Sequence, residues 1–200
     1  MVYTAAEKAR VRRFVYHSVL HSNFSDLPHH EKKHRIEQRI AQGTVPYVIL
    51  QPAALMQNLL NAKTAVLEKG IFPQRFFADR DVRMNLVDLN DVAAVAAMVL
   101  TDSGHDYATY ELCGPDNLSK EDIASAMTAA AGKPVVPQFI PDEAFAVQME
   151  KTGTPPETVQ TLLKMFRHYQ EQGFLGSGNV MKHLLGRKST SLLEFLTENF

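Results

Sequence analysis

The residues best equipped for chemistry are concentrated between His17 and Glu37. Five of the eight histidines, His17, His21, His29, His30 and His34, fall within eighteen residues, with Lys32, Lys33 and Glu37 close by. Imidazole titrates near neutral pH, so a histidine here can give or take a proton during a reaction. His30 and His34 stand four apart and could reach one zinc ion from a helix, but the sequence offers no third or fourth ligand at a fixed spacing, and no metal is expected. His29, Lys33, Ile36 and Ile40 follow i, i+4, i+7, i+11 spacing, which puts them on one side of a helix. If the isoleucines face a sheet, His29 and Lys33 face it too, and the pair becomes a site candidate.

The elements that must position this group can be read along the chain. Residues 5 to 10 read as the last turns of a helix, and Phe14, Val15 and Tyr16 with Val19 and Leu20 form a strand rich in aromatic and branched side chains. Ser25 and Asp26 offer cap chemistry just before Pro28, and HHEKKHRIEQRIAQ then runs without helix breakers to Gly43. VPYVILQP is a nearly continuous apolar strand, as expected for one buried on both faces. Strand, helix, strand makes a βαβ unit and therefore a parallel sheet.

Beyond it, a helix is expected from Ala54 to Glu68 with Gly70 as its stop, followed by core aromatics Phe72, Phe76 and Phe77. VRMNLVDL reads as a strand, Asp88 or Asn90 can cap the helix VAAVAAMVL, and Tyr107 to Leu112 is a short strand. Ser119 and Asp122 have capping-box spacing before IASAMTAAA, which Gly132, Lys133 and Pro134 end. Helices follow at about 141 to 151 and 155 to 172, then a glycine-rich loop and the amphipathic SLLEFLTENF.

Composition narrows the function classes. Lys and Arg total 21 against 22 acids, a formal charge of -1, so no global field draws nucleic acid or an anionic membrane to the protein. Cys113 is the single cysteine, which excludes an internal disulfide; it reads as a small buried strand residue in a reducing compartment. The opening MVYTAAEKARVRRF carries Glu7 and several basic residues where a signal peptide needs an apolar stretch, and no later run is long enough to span a membrane. A cytoplasmic protein is expected. The one glycine cluster, GFLGSG from Gly173 to Gly178, follows a helix rather than a strand and has the wrong order for a phosphate cradle, so it reads as a flexible loop.

RFVYHSV, the helix with Lys33 and Glu37, PYVILQPAALMQNL, VDLNDVAAVAAMVLTD, YELCGPDNLSKEDIASAM and HLLGRKSTSLLEFLTENF resemble the NmrA-like family in order and spacing, over almost the whole chain. The resemblance implies an α/β fold: the later strands of a Rossmann-type parallel sheet plus a smaller, mostly helical substrate-side region. It implies one domain over 1–200, with a residual βαβ unit in 1–53 and the remaining strands and helices in 54–200. NADP or NAD is implied as the cofactor, bound across the carboxyl edge of the sheet beside a small-molecule substrate. Some members of the family act as quinone or related reductases; others are redox-sensing regulators.

In the related short-chain dehydrogenases a Tyr-x-x-x-Lys pair works together, the tyrosine donating a proton and the lysine holding the nicotinamide ribose. Placing Lys33 at the lysine puts His29 at the tyrosine, and those two are the implied catalytic residues. The companion serine would fall near the end of the first strand, where Ser18 is adjacent and Val19 takes the more usual place. Gln51, Pro52 and Ala53 match the segment that passes the nicotinamide, and Asn58 matches a recurrent asparagine. Ser18, Lys33, Gln51, Pro52, Ala53 and Asn58 are therefore the implied cofactor contacts. A strand, glycine-rich turn and helix to hold the pyrophosphate are missing, which implies an amino-terminally truncated chain impaired in cofactor binding. Three readings follow: a dinucleotide-responsive regulator in intact form, an NAD(P)H-dependent reductase, or a truncated interaction module. Without flanking strands, the edge at Phe14 to Leu20 is also expected to favour self-association or a protein partner.

Overall fold

The computed structural model describes residues 2–77 and 81–200. In chain order the elements are α1 (Val2–Ala9), β1 (Phe14–His17), α2 (Pro28–Ala41), β2 (Tyr47–Pro52) and β3 (Ala54–Leu55). A 3-10 helix (Met56–Ala62) leads into α3 (Lys63–Lys69), followed by β4 (Ile71–Gln74), β5 (Met84–Val87), α4 (Leu89–Thr101) and β6 (Ala108–Leu112). The rest are β7 (Asn117–Leu118), α5 (Lys120–Ala131), β8 (Val136–Phe139), α6 (Asp142–Lys151), α7 (Pro156–Gln172), α8 (Asn179–Leu185) and α9 (Leu192–Asn199). The fold is α/β with parallel sheets of Rossmann type. No helix among the described residues is long and apolar enough to cross a membrane.

The chain divides into two compact units. The first runs to Ala53 and also takes Val87–Pro115 and Gly176–Ser189. Its sheet has the order β1-β2-β6, and both pairings are parallel, with Phe14 opposite Tyr47 and Val48 opposite Ala108. Val48, Ile49 and Leu50 are all buried although they alternate between faces, because α2 and α4 both pack on β2. Arg13, just before β1, donates from its guanidinium to the carbonyls of Val99 and Asp102 and pairs with Asp106 at 2.5 Å. A cation on the last carbonyls of α4 satisfies groups that the helix itself leaves open, and ties the start of β1 to that helix.

The second unit comprises Ala54–Leu86, Asp116–Leu175 and Thr190–Phe200. It holds β4 and β8 as a parallel pair and β5 antiparallel to β7, with α5 packed against α9. Both of those helices start with capping boxes, Ser119 with Asp122 and Ser191 with Glu194. Phe72 and Phe77 are buried, while Phe76 is half-buried with its ring edge-on to Phe166.

Several expectations change at this level. The helix expected from Ala54 is instead a short strand and a 3-10 helix before α3, because the segment opens at Leu55 with no side-chain cap to start an α-helix. Gly70 does stop it, in the left-handed conformation at φ 66°. Ser25 and Asp26 do not cap α2; Leu27 is its N-cap, with Pro28 at the first turn. The glycine-rich segment contains α8 directly after it, and its glycines are packed rather than flexible. A Cβ on Gly176 would stand 2.3 Å from Cys113 Sγ, and one on Gly173 2.7 Å from the Arg83 carbonyl. Cys113 is fully buried there, and burial first, then Glu111, pushes its thiol up to about 12.

The phase of α2 is the most informative change. Its buried residues are His30, Glu37 and Ile40, with Lys33 and His34 half-buried on the same stripe. Ile36, expected to face the sheet, is 43% exposed, whereas Ile40 is 0% exposed. The stripe is centred on His30 and Glu37, so Ile36 and His29 are rotated to its flank. Ile40→Ala should therefore cost about 2–5 kcal/mol of unfolding free energy, and Ile36→Ala about 0.5 kcal/mol or less. Urea denaturation followed by circular dichroism checks this; equal losses would mean that both side chains are core.

Candidate functional site

The ladder between the first two strands of this sheet continues past His17. Ser18 N donates to the Leu50 carbonyl at 2.7 Å and Leu20 N to the Pro52 carbonyl at 2.9 Å. At His21 the backbone turns into the left-handed region, φ 53°, and the chain leaves the sheet. His30 Nδ1 meets the His21 carbonyl at 2.9 Å, and the Phe24 ring tilts against both imidazoles at 5.1 and 5.6 Å. Leu20 and Leu27 are buried beneath this turn. The connection from Ser18 to Leu27 thus has apolar anchors, and α2 follows at once.

Its polar anchor is Glu37. Ser18 Oγ donates to Glu37 Oε1, Ser22 Oγ donates to Oε2 at 2.7 Å, and Gln51 Nε2 donates to Oε1 at 2.9 Å. Ser18, Ser22 and Glu37 are all buried. Burying a carboxylate costs several kcal/mol unless hydrogen bonds replace its hydration, and bonds to a charged acceptor return about 1.5–3 kcal/mol each. Three donors satisfy that requirement. The His34 ring stands at the solvent end of the cluster, with Nδ1 3.4 Å from Ser22 Oγ and 3.6 Å from Glu37 Oε2. Gln38 Nε2 lies 3.1 Å from His34 Nε2.

Lys33 lies one helical turn before Glu37, half-buried. Its Nζ donates to the His17 carbonyl at 2.9 Å and stands 5.2 Å from the centre of the Tyr16 ring. Burial lowers its pKa and Glu37 opposes that. Tyr16 has its hydroxyl buried with no hydrogen-bond partner among the described residues, and burial, then Glu37, raises its pKa. His17 and His29 are shifted down, in each case first by partial burial and then by Lys33, with Lys32 adding to His29. The Lys33 ammonium thus sits at the carboxyl end of β1, beside two imidazoles whose protonated forms are disfavoured, those of His17 and His29.

The structure brings Ser18 and Gln51 together on Glu37, beside Lys33. His29 is one turn before Lys33 but exposed, with its ring edge-on to His30. Pro52 and Ala53 are buried at the end of β2, and Ala53 N donates to the Leu112 carbonyl at 3.0 Å; they shape the strand end without a polar side chain. Asn58 is exposed on the 3-10 helix of the other unit. His30 meets the His21 carbonyl and His34 stands beside Glu37 and Gln38, and no group of three possible metal ligands converges among the described residues. Sequence reasoning named Glu37 but gave it no role, and gave none to Ser22 or Tyr16. A signal existed in Glu37, on the stripe of buried Ile40 and opposite a Ser-x-x-x-Ser segment, but periodicity read from isoleucines alone passes over it.

The sequence model of the NmrA-like family matches residues 1–196. Quinone oxidoreductase 2 of Escherichia coli strain K12 is 27% identical over 199 residues, which is 100% of this chain and 68% of that protein. Its structure solved with NADPH superposes with a TM-score of 0.83 over 98% of this chain and 69% of the other. The NAD(P)H azoreductase of Xenophilus azovorans is 29% identical over 159 residues, 80% of this chain and 54% of that protein. NmrA, a negative transcriptional regulator solved with NAD, is 18% identical with a TM-score of 0.72 over 98% of this chain and 66% of that chain, a likeness of fold alone.

A histidine whose folded pKa is lowered binds fewer protons than in the unfolded chain, so its contribution to stability is lost as pH falls below the ordinary value of about 6.5. Nuclear magnetic resonance titration should place His17 and His29 below that value, and Lys33→Met should raise both. Midpoints unmoved by Lys33→Met would mean that the lysine charge does not reach them.

Proposed function

The chain belongs to the NmrA-like family, and from that premise we propose that it serves an NAD(P)H-dependent reductase, providing the residues that meet the nicotinamide ribose and the substrate. The observation that carries the reading is Lys33, held half-buried at the carboxyl end of the first strand of a parallel sheet. Ligands of open α/β sheets bind outside the carboxyl ends of the strands. An ammonium has three N–H donors, and Lys33 uses one on the His17 carbonyl. The donor set therefore fits a ribose diol. The resemblance to a quinone oxidoreductase and an azoreductase, at 27% and 29% identity, supports reductive chemistry.

Bound NAD(P)H would supply the hydride. Lys33 holds the ribose through its remaining donors, and His29, one turn away, is the group able to pass a proton near neutral pH. Gln51, Pro52 and Ala53 form the wall at the end of β2, and Ser18 contributes through the Glu37 cluster. A second reading, a dinucleotide-responsive regulator, is favoured by one observation: His29, in the place of the tyrosine, is exposed rather than set against Lys33 in the sheet.

Saturation-transfer magnetic resonance with NADPH should report binding. Lys33→Met keeps the stem and removes the ammonium, and should weaken that binding by about tenfold, as expected for one charge-assisted hydrogen bond. Lys32→Met, exposed and about 100° round the helix, should not change it. Oxidation of NADPH by a simple benzoquinone separates the two readings, since a regulator binds without turnover. If Lys33→Met and Lys32→Met leave binding alike, Lys33 does not hold the cofactor.

A further inference from the structure

Glu37 takes no part in the chemistry assigned to Lys33, yet it has the most polar partners in this part of the protein. Its three donors come from three places: Ser18 directly after the first strand, Ser22 in the turn, and Gln51 in the second strand. The acceptor itself is on α2. We infer that Glu37 is the positioning residue of this site: by taking hydrogen bonds from Ser18, Ser22 and Gln51 together, its carboxylate fixes the chain from Ser18 to Leu27 and so holds the His17 carbonyl on which the Lys33 ammonium is seated.

The geometry gives this its force. Residues four apart on a helix stack on one side, so Lys33 and Glu37 reach the sheet at neighbouring points. They grip two adjacent residues, Lys33 at the His17 carbonyl and Glu37 at the Ser18 hydroxyl. The Ser18 and Leu20 amides, bonded to Leu50 and Pro52, keep that stretch in register with the second strand. Displacing Ser18 therefore displaces the seat of Lys33. The titratable groups coupled to Lys33 are Glu37 and Tyr16 through the cluster, and His17 and His29 through its own charge. Among these, the carboxylate of Glu37 favours the ammonium form against burial. The inference takes the Lys33 site from the proposed function, but its test does not need a cofactor.

The test uses the 200-residue chain with 13C-labelled lysine. Glu37→Gln keeps the shape and an accepting oxygen while removing the charge. The Lys33 Cε titration midpoint should fall by about one pH unit, and hydrogen exchange at the Ser18 and Leu20 amides should quicken by about tenfold. Lys8 and Lys188 should not move. A lower melting temperature with an unchanged Lys33 midpoint would overturn the inference, because a merely structural carboxylate gives that result. Should Glu37→Gln fail to fold, Ser22→Ala removes one donor and leaves the carboxylate; it should displace the Lys33 resonance in the same sense, and an unmoved resonance again overturns the inference. NADPH titration keeps the two readings apart. Lys33 displaced in Glu37→Gln with cofactor response unaltered upholds the positioning role and removes Lys33 from cofactor binding.

Discussion

A carboxylate buried inside an α/β layer must find hydrogen-bond donors, and in this protein that demand organises the region where the first strand ends. Glu37 finds them on both strands and the turn. A leucine at this position would bury as well but would place no constraint on where Ser18, Ser22 or Gln51 stand. Charge makes the arrangement specific, because a misplaced turn would leave an ion in the interior without partners. The phase of α2 follows from the same demand: turning Glu37 inward sends Ile36 outward and leaves Lys33 half-covered, where its ammonium stands over the Tyr16 ring and meets a backbone carbonyl. A fully exposed lysine would have no such orientation.

Much of the architecture was legible from residue pattern. The run Val48 to Leu50 announced a strand covered on both faces, and the βαβ order made its sheet parallel. The capping spacing at Ser119 and Asp122, and Gly70 as a stop, located helix ends because their signals are local backbone chemistry. Two-residue strands such as β3 and β7 were not legible, since their pairing depends on distant partners rather than on their own pattern. The seven residues of α8 were hidden behind glycines that look like a loop; those glycines serve close packing against Cys113 and Arg83, which no local pattern reveals.

The candidate site was legible in part. Lys33, Ser18 and Gln51 were singled out through a family resemblance, and they do lie around one cluster. The centre of that cluster was missed because charged residues are ordinarily placed outside, and the rule fails where a cost of burial is met by arranged donors. The histidine concentration, suggestive of proton transfer, resolved into several separate duties. His30 closes a turn, His34 borders the buried acid, and His17 and His29 have their pKa values lowered by burial and, after it, by the neighbouring ammonium. Clustering in sequence did not mean convergence in space.

The division of the chain has a consequence for how the protein is made. The first unit is built from three separated segments, the last being Gly176–Ser189, and the stretch from Asp116 to Leu175 belongs to the other unit. At about 5–20 residues per second of synthesis, roughly 4–15 s pass between completing β6 and completing α8, which packs on it. During that interval the sheet waits with Cys113 and Leu20 uncovered by Gly176. The packing of the first sheet around Cys113 is therefore completed only after a long insertion belonging to the other unit has been made.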